Sequence, residues 1–269
     1  MQLRFATKPA PRPPWPGRMA GLTCALLVLL SALARAVPAP VPHAYGAFAY
    51  YTLALTWQPG ICRIDDAPLL GIAGPEHCAS DQPRAPLIGL HGLWPSRPQA
   101  LIRAGVRVQR WWSRGCDLLH HSNEEPRLSA TLRAQLAAVV PQLRHSLLAH
   151  EYDKHVQCFG FDPARFFTTE LALRSALADA PFGRYLAAQR GKPVAHADVV
   201  RAFERSSGTG DARALQLQCA RDRAGREVLT QLWLTIRAGS LAAFPAATSL
   251  THTPIDADTC PATFIVPAW

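Results

Sequence analysis

The sequence lacks three features, each of which would have pointed to a particular class of protein. No two cysteines have the Cys-x-x-Cys spacing of zinc ribbons and thioredoxin-like redox sites. No internal repeat runs along the chain and no linker divides it after residue 44, which favours a single domain over a repeat array. The apolar run at residues 20–33 is shorter than the ~20 residues that a membrane-spanning helix needs.

The first 36 residues also lack any acidic residue and have the pattern of a secretory signal peptide. Basic residues come first, from Arg4 to Arg18, then the apolar run, and then the small residues of Ala34-Arg35-Ala36. We predict a signal peptide at residues 1–36, a Pro-rich lead-in at 37–44 and one domain at 45–269. This predicts export to the periplasm or the cell exterior. An uncleaved membrane anchor is the alternative.

The charge of the exported chain is a weak indicator of its partner. The whole chain has a formal net charge of +9, but residues 1–36 hold five basic residues and no acidic one. The remaining 23 basic and 19 acidic residues leave a charge of +4. Such a charge is compatible with a polyanionic partner and does not require one.

Six cysteines remain once the predicted signal peptide, which contains Cys24, is set aside. An even number in an exported chain predicts three disulfides and an oxidising compartment. Six cysteines allow 15 connectivities, and their spacing does not choose among them. The six are Cys62, Cys78, Cys116, Cys158, Cys219 and Cys260.

Apolar periodicity predicts strands on both sides of a helical middle. No β-α-β alternation is present, so we predict an α+β fold with an antiparallel sheet packed against several helices. The second strand is expected to break at Gly92 and Pro95, and the first helix at Pro141. The predicted strands are 50–57, 87–95, 214–219, 227–236 and 263–266. The predicted helices are 129–148, with a second helix after Pro141 that runs into 150–158, and 164–180, 185–188 and 196–205.

Two histidine-containing segments concentrate reactive side chains. On a helix with about 100° per residue, His150, Glu151, Lys154 and His155 fall within an arc of roughly 140°, so they are predicted to share one face. Clusters of titratable groups concentrate at functional sites, which favours a site over a solvated helix face. The other segment begins at His91, which the predicted strand presents at a sheet edge or tip.

Together, these two segments resemble the motifs of the ribonuclease T2 family. The family's H-G-L-W-P motif is present without change at residues 91–95. Its H-E-W-x-K-H-G-T-C motif matches residues 150–158, except for Tyr152 in place of Trp and Val156-Gln157 in place of Gly-Thr. The strand and turn at 51–62 are also similar to the family's first core strand. The resemblance covers roughly residues 45–269, which makes that domain the expected catalytic domain.

The resemblance implies an endoribonuclease that cleaves single-stranded RNA without a metal or other cofactor. The 2′-hydroxyl attacks the phosphate and yields a 2′,3′-cyclic phosphate, with broad base specificity. DNA is not cleaved, because it lacks this nucleophile. We also expect a monomer that does not bind membranes once its signal is removed.

The resemblance assigns a role to each residue of the cluster. His155 is the general base and His91 the general acid. Glu151 and Lys154 stabilise the pentacoordinate phosphate, and His150 binds it. Imidazoles suit both proton transfers because their ordinary pKa of about 6.5 lies near working pH.

Two aromatic residues are predicted to bind substrate, and three disulfides follow from the resemblance. Trp94 offers a ring face for base stacking, although a core position is an equal alternative. Tyr152 is the second aromatic candidate. Val156-Gln157 is bulkier than Gly-Thr, which leaves the local geometry before the last cysteine of the motif in doubt. The implied pairs are Cys62–Cys78, Cys116–Cys158 and Cys219–Cys260.

Two other functions compete with this prediction. A zinc hydrolase is suggested by a His-Glu pair near a second histidine, but His150 and His155 are about 140° apart on a helix, and a shared metal needs an i, i+4 pair. The other alternative is an exported RNA-binding or partner-binding protein whose site has decayed. The presence of both His91 and His155 speaks against it.

Overall fold

The structure, a computed structural model, describes residues 40–64, 78, 84–122, 124–140 and 147–269. The predicted signal peptide and the first three residues of the Pro-rich lead-in, 37–39, lie outside the described residues, so both segments stay predictions. No helix in the described ranges has the length and apolar character that crossing a bilayer requires.

A six-stranded sheet lies at the centre of the fold, in the order β2-β1-β5-β6-β3, with β4 also paired to β5. Every pairing is antiparallel except β5–β6, which is parallel at Val228 and Ile265. The predicted α+β class is therefore confirmed, and an entirely antiparallel sheet is wrong at this one pairing. The strands are β1 (Tyr50–Trp57), β2 (Ile88–Pro95), β3 (Lys192–Ala195), β4 (Leu215–Arg221), β5 (Glu227–Arg237) and β6 (Thr263–Val266).

Eight α-helices accompany this sheet within the described residues, and the longer ones match the predicted helices. The predicted helix 129–148 is divided, since α4 ends at Ala137 and α5 begins at Leu147. Pro141, where we predict the break, lies outside the described residues. Sequence periodicity missed α2, α3 and β3, because each is short and has a single buried side chain. The helices are α1 (Gln58–Ile61), α2 (Gln99–Arg103), α3 (Val108–Arg114), α4 (Ala130–Ala137), α5 (Leu147–His155), α6 (Pro163–Asp179), α7 (Pro181–Ala188) and α8 (His196–Ser207).

Side-chain caps explain where α4 and α6 begin. The Ser129 hydroxyl accepts from the N–H of Leu132, and the Asp162 carboxylate accepts from the N–H of Arg165. Each cap satisfies a backbone donor that has no partner within the helix, which stabilises the helix by about 1 kcal/mol. Pro163 at the first position of α6 adds a backbone angle already suited to a helix.

Polar groups fix α6 against β2, the strand that carries the first motif. The Arg174 guanidinium donates twice to the carbonyl of Ile88, at 2.8 and 2.6 Å. The carboxyl of Glu170, only 3% exposed, accepts from the backbone N–H of Leu93, and burial raises its pKa well above the usual range. These contacts fix β2 against α6.

Three disulfides connect distant parts of the chain: Cys62–Cys78, Cys116–Cys158 and Cys219–Cys260. These are the three pairs that the family resemblance implies. The second joins the turn after α3 to the turn after α5. It therefore fixes the end of the helix that carries the second motif.

Candidate active site

His91 lies inside β2, at a β-bulge rather than at a strand end. Ala54 of β1 pairs with Gly92, whereas the next residue, Leu55, pairs with Leu90. His91 is therefore the extra residue of the bulge. Bulges change the direction of a side chain and are common beside active sites.

The bulge changes which side chains of β2 share a face. In a regular strand, residues three apart point to opposite faces. Here the rings of His91 and Trp94 contact each other edge-to-face, with their centroids 5.1 Å apart. The predicted break at Gly92 is wrong, because the strand continues through it to Pro95. β2 is an edge strand of the sheet, as predicted for the strand that carries His91.

A single carboxylate joins the two motifs. Glu151, on α5, is 6% exposed and lies with its Oε1 3.3 Å from Nε2 of His91. Its Oε2 is 3.9 Å from Nε2 of His155, one helical turn further along. The indole N–H of Trp94 donates to the same Oε2. Two imidazoles from different elements therefore meet at one buried negative charge.

The glycine of the first motif allows this close approach. A Cβ atom at Gly92 would lie 2.8 Å from Oε2 of Glu151 and 2.6 Å from Nε1 of Trp94. Contacts this short force neighbouring atoms to move. The H-G-L-W-P segment thus supplies an imidazole, an indole and the space between them for the carboxylate.

Gln231 on β5 orients His91 from the other side. Its Oε1 lies 2.9 Å from Nδ1 of His91 and accepts from the indole N–H of Trp233 at 3.0 Å. An indole nitrogen can only donate, so the amide atom in contact with it is the oxygen. The same oxygen then requires a proton on Nδ1 of His91. Nε2, the nitrogen facing Glu151, is consequently the one that titrates.

Sequence reasoning missed Gln231 and Trp233. Both lie on a strand that was predicted, and their i, i+2 spacing places them on one face. A glutamine within an apolar strand was the available signal. The role of Gln231 follows only from the sheet order, in which β1 lies between β2 and β5 and the Gln231 side chain contacts His91.

Glu151 is ionised at working pH. Burial raises its pKa, but the charges of His91 and His155, with hydrogen bonds from His91 and Trp94, outweigh burial and lower it to about 2. A carboxylate in this state accepts hydrogen bonds and donates none.

The two imidazoles shift in opposite directions. Burial lowers the pKa of His155 to about 4, and the positive charges of Lys154, His91 and His150 act in the same direction, against Glu151. Burial also lowers the pKa of His91, but the charge and hydrogen bond of Glu151, with the hydrogen bond of Gln231, raise it above the ordinary value. At neutral pH His155 is therefore neutral, whereas His91 stays protonated to a higher pH than an ordinary histidine.

Trp94 is half-buried among the site residues. His155 packs over its ring with centroids 5.2 Å apart at an angle of 31°, and Trp233 meets it edge-on at 5.5 Å. These contacts hold both imidazoles in place. Base stacking on Trp94 stays a prediction, because a ring with these neighbours has only part of its surface free.

The other residues of the second motif occupy different surroundings. His150 is exposed and lines a cavity of about 310 Å³ with Glu124, Asp153 and other residues. Glu151 lies beside His155, and the charges of His150 and Lys154 act on His155. The predicted placement of His150 on the same wall stays a prediction. In the described ranges, no three His, Cys, Asp or Glu side chains are arranged to hold a metal ion.

Tyr152 and Lys154 differ in their access to the site. Tyr152 is 7% exposed and packs against Phe167, and it also lines the cavity that His150 lines, so the predicted substrate contact stays a prediction. Lys154 is half-buried, and its charge acts on both imidazoles. Its backbone carbonyl lies so close to Gly115 that a Cβ there would be 2.0 Å from the oxygen.

Val156 and Gln157, which replace Gly-Thr of the family motif, fit the fold. Val156 is 2% exposed and packs in the core. The Gln157 amide donates to the hydroxyl of Ser122 and the carbonyl of Glu124, both at 2.9 Å. The bulkier pair therefore fills the core and anchors a neighbouring loop without moving Cys158 from its disulfide.

This α+β fold brings two oppositely shifted imidazoles to one carboxylate, an arrangement suited to an enzyme that uses general acid–base chemistry. The model of the Ribonuclease T2 family matches residues 48–246, and the chain belongs to that family. It is an RNA endonuclease.

The similar proteins agree with this membership. Ribonuclease I of Escherichia coli (strain K12) is 31% identical over 260 residues, covering 91% of this chain and 94% of that protein. Ribonuclease MC1 from the seeds of bitter gourd is 18% identical, with a TM-score of 0.53, over 81% of this chain and 100% of that one. RNase NT, solved in complex with 5′-AMP, is 17% identical, with a TM-score of 0.55, over 82% and 98%. At these identities the two structures show the shared fold.

Proposed function

We propose that the chain cleaves single-stranded RNA by transphosphorylation, without a metal. The 2′-oxygen bonds to the adjacent phosphorus, the bond from phosphorus to the 5′-oxygen breaks, and a 2′,3′-cyclic phosphate is left. The observation that supports this is that His91 and His155 both contact Glu151 and have pKa values shifted in opposite directions. RNA carries its own nucleophile, so the enzyme has only to move two protons and stabilise the phosphoryl charge.

His155 acts as the general base. Its lowered pKa keeps the imidazole neutral at neutral pH, so it can take the proton of the 2′-hydroxyl. The nearby Glu151 carboxylate then stabilises the imidazolium that forms. Trp94 holds the ring from one side.

His91 acts as the general acid. Its raised pKa favours the protonated form, and Gln231 keeps Nδ1 protonated, so the proton given to the 5′-oxygen comes from Nε2. His91 is on a strand and His155 on a helix. Two elements can approach the phosphate from opposite sides, as an in-line displacement requires.

Lys154 and His150 are the residues that we assign to the phosphate. We assign the developing charge on the phosphoryl oxygens to Lys154, and the initial binding of the phosphate to the exposed His150. The role of Glu151 differs from the predicted one. Because it is ionised and contacts both imidazoles, we assign it to holding and polarising them rather than to the phosphate.

The substrate follows from the nucleophile. DNA lacks the 2′-hydroxyl and should not be cut. We further propose broad base specificity, with stacking on the free part of Trp94, worth about 1–3 kcal/mol in single-stranded recognition.

We also propose that residues 1–36 are removed on export to the periplasm or the cell exterior, and that the mature chain is a monomer. Three disulfides support an oxidising compartment, where such bonds persist.

The test is a digestion of the four homopolymeric RNAs in excess EDTA, with product analysis. We expect cleavage of all four and fragments ending in 2′,3′-cyclic phosphate. His91→Ala and His155→Ala should each lower the rate by about 10²–10⁴-fold. His252→Ala is the control, because this exposed histidine pairs with Asp211 away from the site.

Three results would refute the mechanism. One is loss of activity in EDTA with recovery on adding zinc. Another is cleavage of single-stranded DNA at a comparable rate. The last is undiminished RNA cleavage by the His155→Ala protein.

A further inference from the structure

The segment that follows the first motif is strongly basic. Residues 97–116 contain five arginines and no acidic residue. The guanidinium of Arg97 is occupied, because it donates to the carbonyl of Val106. The other four are exposed and lie on α2, on α3 and at the start of α3: Arg103, Arg107, Arg110 and Arg114.

The fold brings Arg107, Arg110 and Arg114 to one surface, and Arg103 lies two residues before Gly105, which lines a recess on that surface. The indole N–H of Trp111, 3% exposed, donates to the carbonyl of Pro95 and fixes α3 to the end of β2. With about 100° per residue, Arg110 and Arg114 then lie about 40° apart on the helix. Arg107 and Arg110 line the same recess of about 300 Å³, which Gly105 leaves open.

This surface adjoins the catalytic helix. Arg114 ends α3, and the next residue, Gly115, packs directly against the Lys154 backbone. The Cys116–Cys158 disulfide holds this contact. A strand whose phosphate lies at Lys154 therefore meets the end of α3 next.

The charge on this surface is largely uncompensated. Within the described residues, no ion pair involves Arg103, Arg107 or Arg110. Arg114 pairs with Asp117 at 3.3 Å, and both side chains are more than half exposed, so water screens the pair.

We propose that Arg103, Arg107, Arg110 and Arg114, which we name the arginine ridge, bind phosphates of the RNA strand outside the scissile position. The inference rests on the proposed function, since it takes RNA as the polyanion. Arginine suits this role because its planar group donates to phosphate through two N–H groups at once. The ridge makes the enzyme favour long RNA over short fragments.

The test compares a variant of the ridge with a variant of equal charge. The first carries Arg103→Gln, Arg107→Gln and Arg110→Gln, and keeps Arg114, which adjoins the catalytic helix. The control carries Arg133→Gln, Arg190→Gln and Arg205→Gln, three exposed arginines on other helices or helix ends. Binding is measured with a long 2′-O-methyl RNA, which cannot be cut because its 2′-oxygen is blocked.

The ridge variant should bind this RNA at least about 10-fold more weakly than the control. The slope of log K against log salt should fall by about 2, since each lost phosphate contact removes about 0.7 for a single strand. Cleavage of a dinucleoside monophosphate, too short to reach the ridge, should stay within about 2-fold of the wild-type rate.

Equal RNA affinity and equal salt slope in the two variants would refute the proposal that the arginine ridge binds RNA. So would a loss confined to anionic lipid vesicles, which are the rival polyanion because Ile102 and Trp112 are exposed nearby. Suppose that the wild-type protein cuts neither RNA nor the dinucleoside monophosphate, but the ridge variant still binds 2′-O-methyl RNA more weakly than the control. The proposed cleavage is then wrong, and the proposed binding of RNA by the arginine ridge is supported.

Discussion

Gln231 determines how His91 can act, although it lies outside both motifs. Its amide oxygen accepts one hydrogen bond from the indole N–H of Trp233 and a second from the Nδ1–H of His91. A buried acceptor of this kind stabilises the protonated imidazole. A general acid on β2 therefore depends on a neutral side chain two strands away.

Changing Gln231 should move the alkaline limb of the pH–rate profile. Gln231→Leu removes the acceptor, so the pKa of His91 falls and the limb moves to lower pH, by up to about one unit. Gln231→Glu adds a negative charge at the same place and should move the limb to higher pH. The measurement is kcat/KM for RNA as a function of pH.

Gln218→Leu is the matched control for this pair. Gln218 faces Gln231 across β4 and β5 and is equally buried, but its amide donates to the carbonyl of Ala257 rather than to the site. It should affect stability without moving the limb. Identical shifts in all three proteins would show that Gln231 is merely a packing residue.

At the scale of elements, the site is an edge strand with a bulge, a helix and the turns that fix the helix. The strand and the helix were predicted from their apolar patterns. The bulge was not, because one extra residue in a strand is decided by the partner strand. The closeness of α3 to α5 also depends on Gly115 and on a disulfide between distant residues.

Two disulfides span nearly the same number of residues, so comparing their removal separates a local effect on catalysis from a loss of global stability. Cys116–Cys158 spans 42 residues and Cys219–Cys260 spans 41. Replacing either pair by alanine should lower the free energy of unfolding by about 2–5 kcal/mol. Only loss of Cys116–Cys158 should also lower kcat, because it frees the end of the catalytic helix.

Denaturant unfolding and RNA cleavage, both measured at a temperature where each protein is folded, check this expectation. Equal kcat losses in the two double variants would mean that the bridges act through global stability alone. An unchanged kcat without Cys116–Cys158 would mean that packing of Val156 and Phe159 suffices to hold α5.

At the scale of the whole molecule, the two imidazoles make folding depend on pH in opposite directions. His155 has a folded pKa of about 4 against an ordinary 6.5, so its contribution is present above pH 6.5 and is lost as pH falls toward 4. This loss is on the order of 3 kcal/mol. The pKa of His91 is raised, so its contribution is present below pH 6.5 and is lost as pH rises through its folded pKa.

The pair should therefore place maximum stability near pH 6.5. We expect the free energy of unfolding, from urea titrations at a series of pH values, to fall on both sides. His155→Ala should flatten the acid side between pH 6.5 and 4, and His91→Ala the alkaline side. Glu151 adds a further loss below pH 4.5, because its folded pKa is about 2. A wild-type curve that is flat from pH 4 to 6.5 would contradict the buried neutral state of His155.

Local patterns were enough to predict the α+β class, most strands and the longer helices, and two motifs were enough to identify an RNA endonuclease of the ribonuclease T2 family. This succeeds because apolar periodicity and motif residues are properties of short segments. The prediction that four residues of α5 share one wall agrees with the contact between Glu151 and His155. The places of Lys154 and of the exposed His150 on that wall stay predictions.

Only the folded chain decided which groups meet and in what protonation state. The contact of His91 with Glu151, the bridging oxygen of Gln231 and the arginine ridge each join residues from separate elements. Burial and neighbouring charge then move two chemically identical imidazoles in opposite directions. Such shifts depend on distance and solvent exclusion, which no single segment of sequence contains.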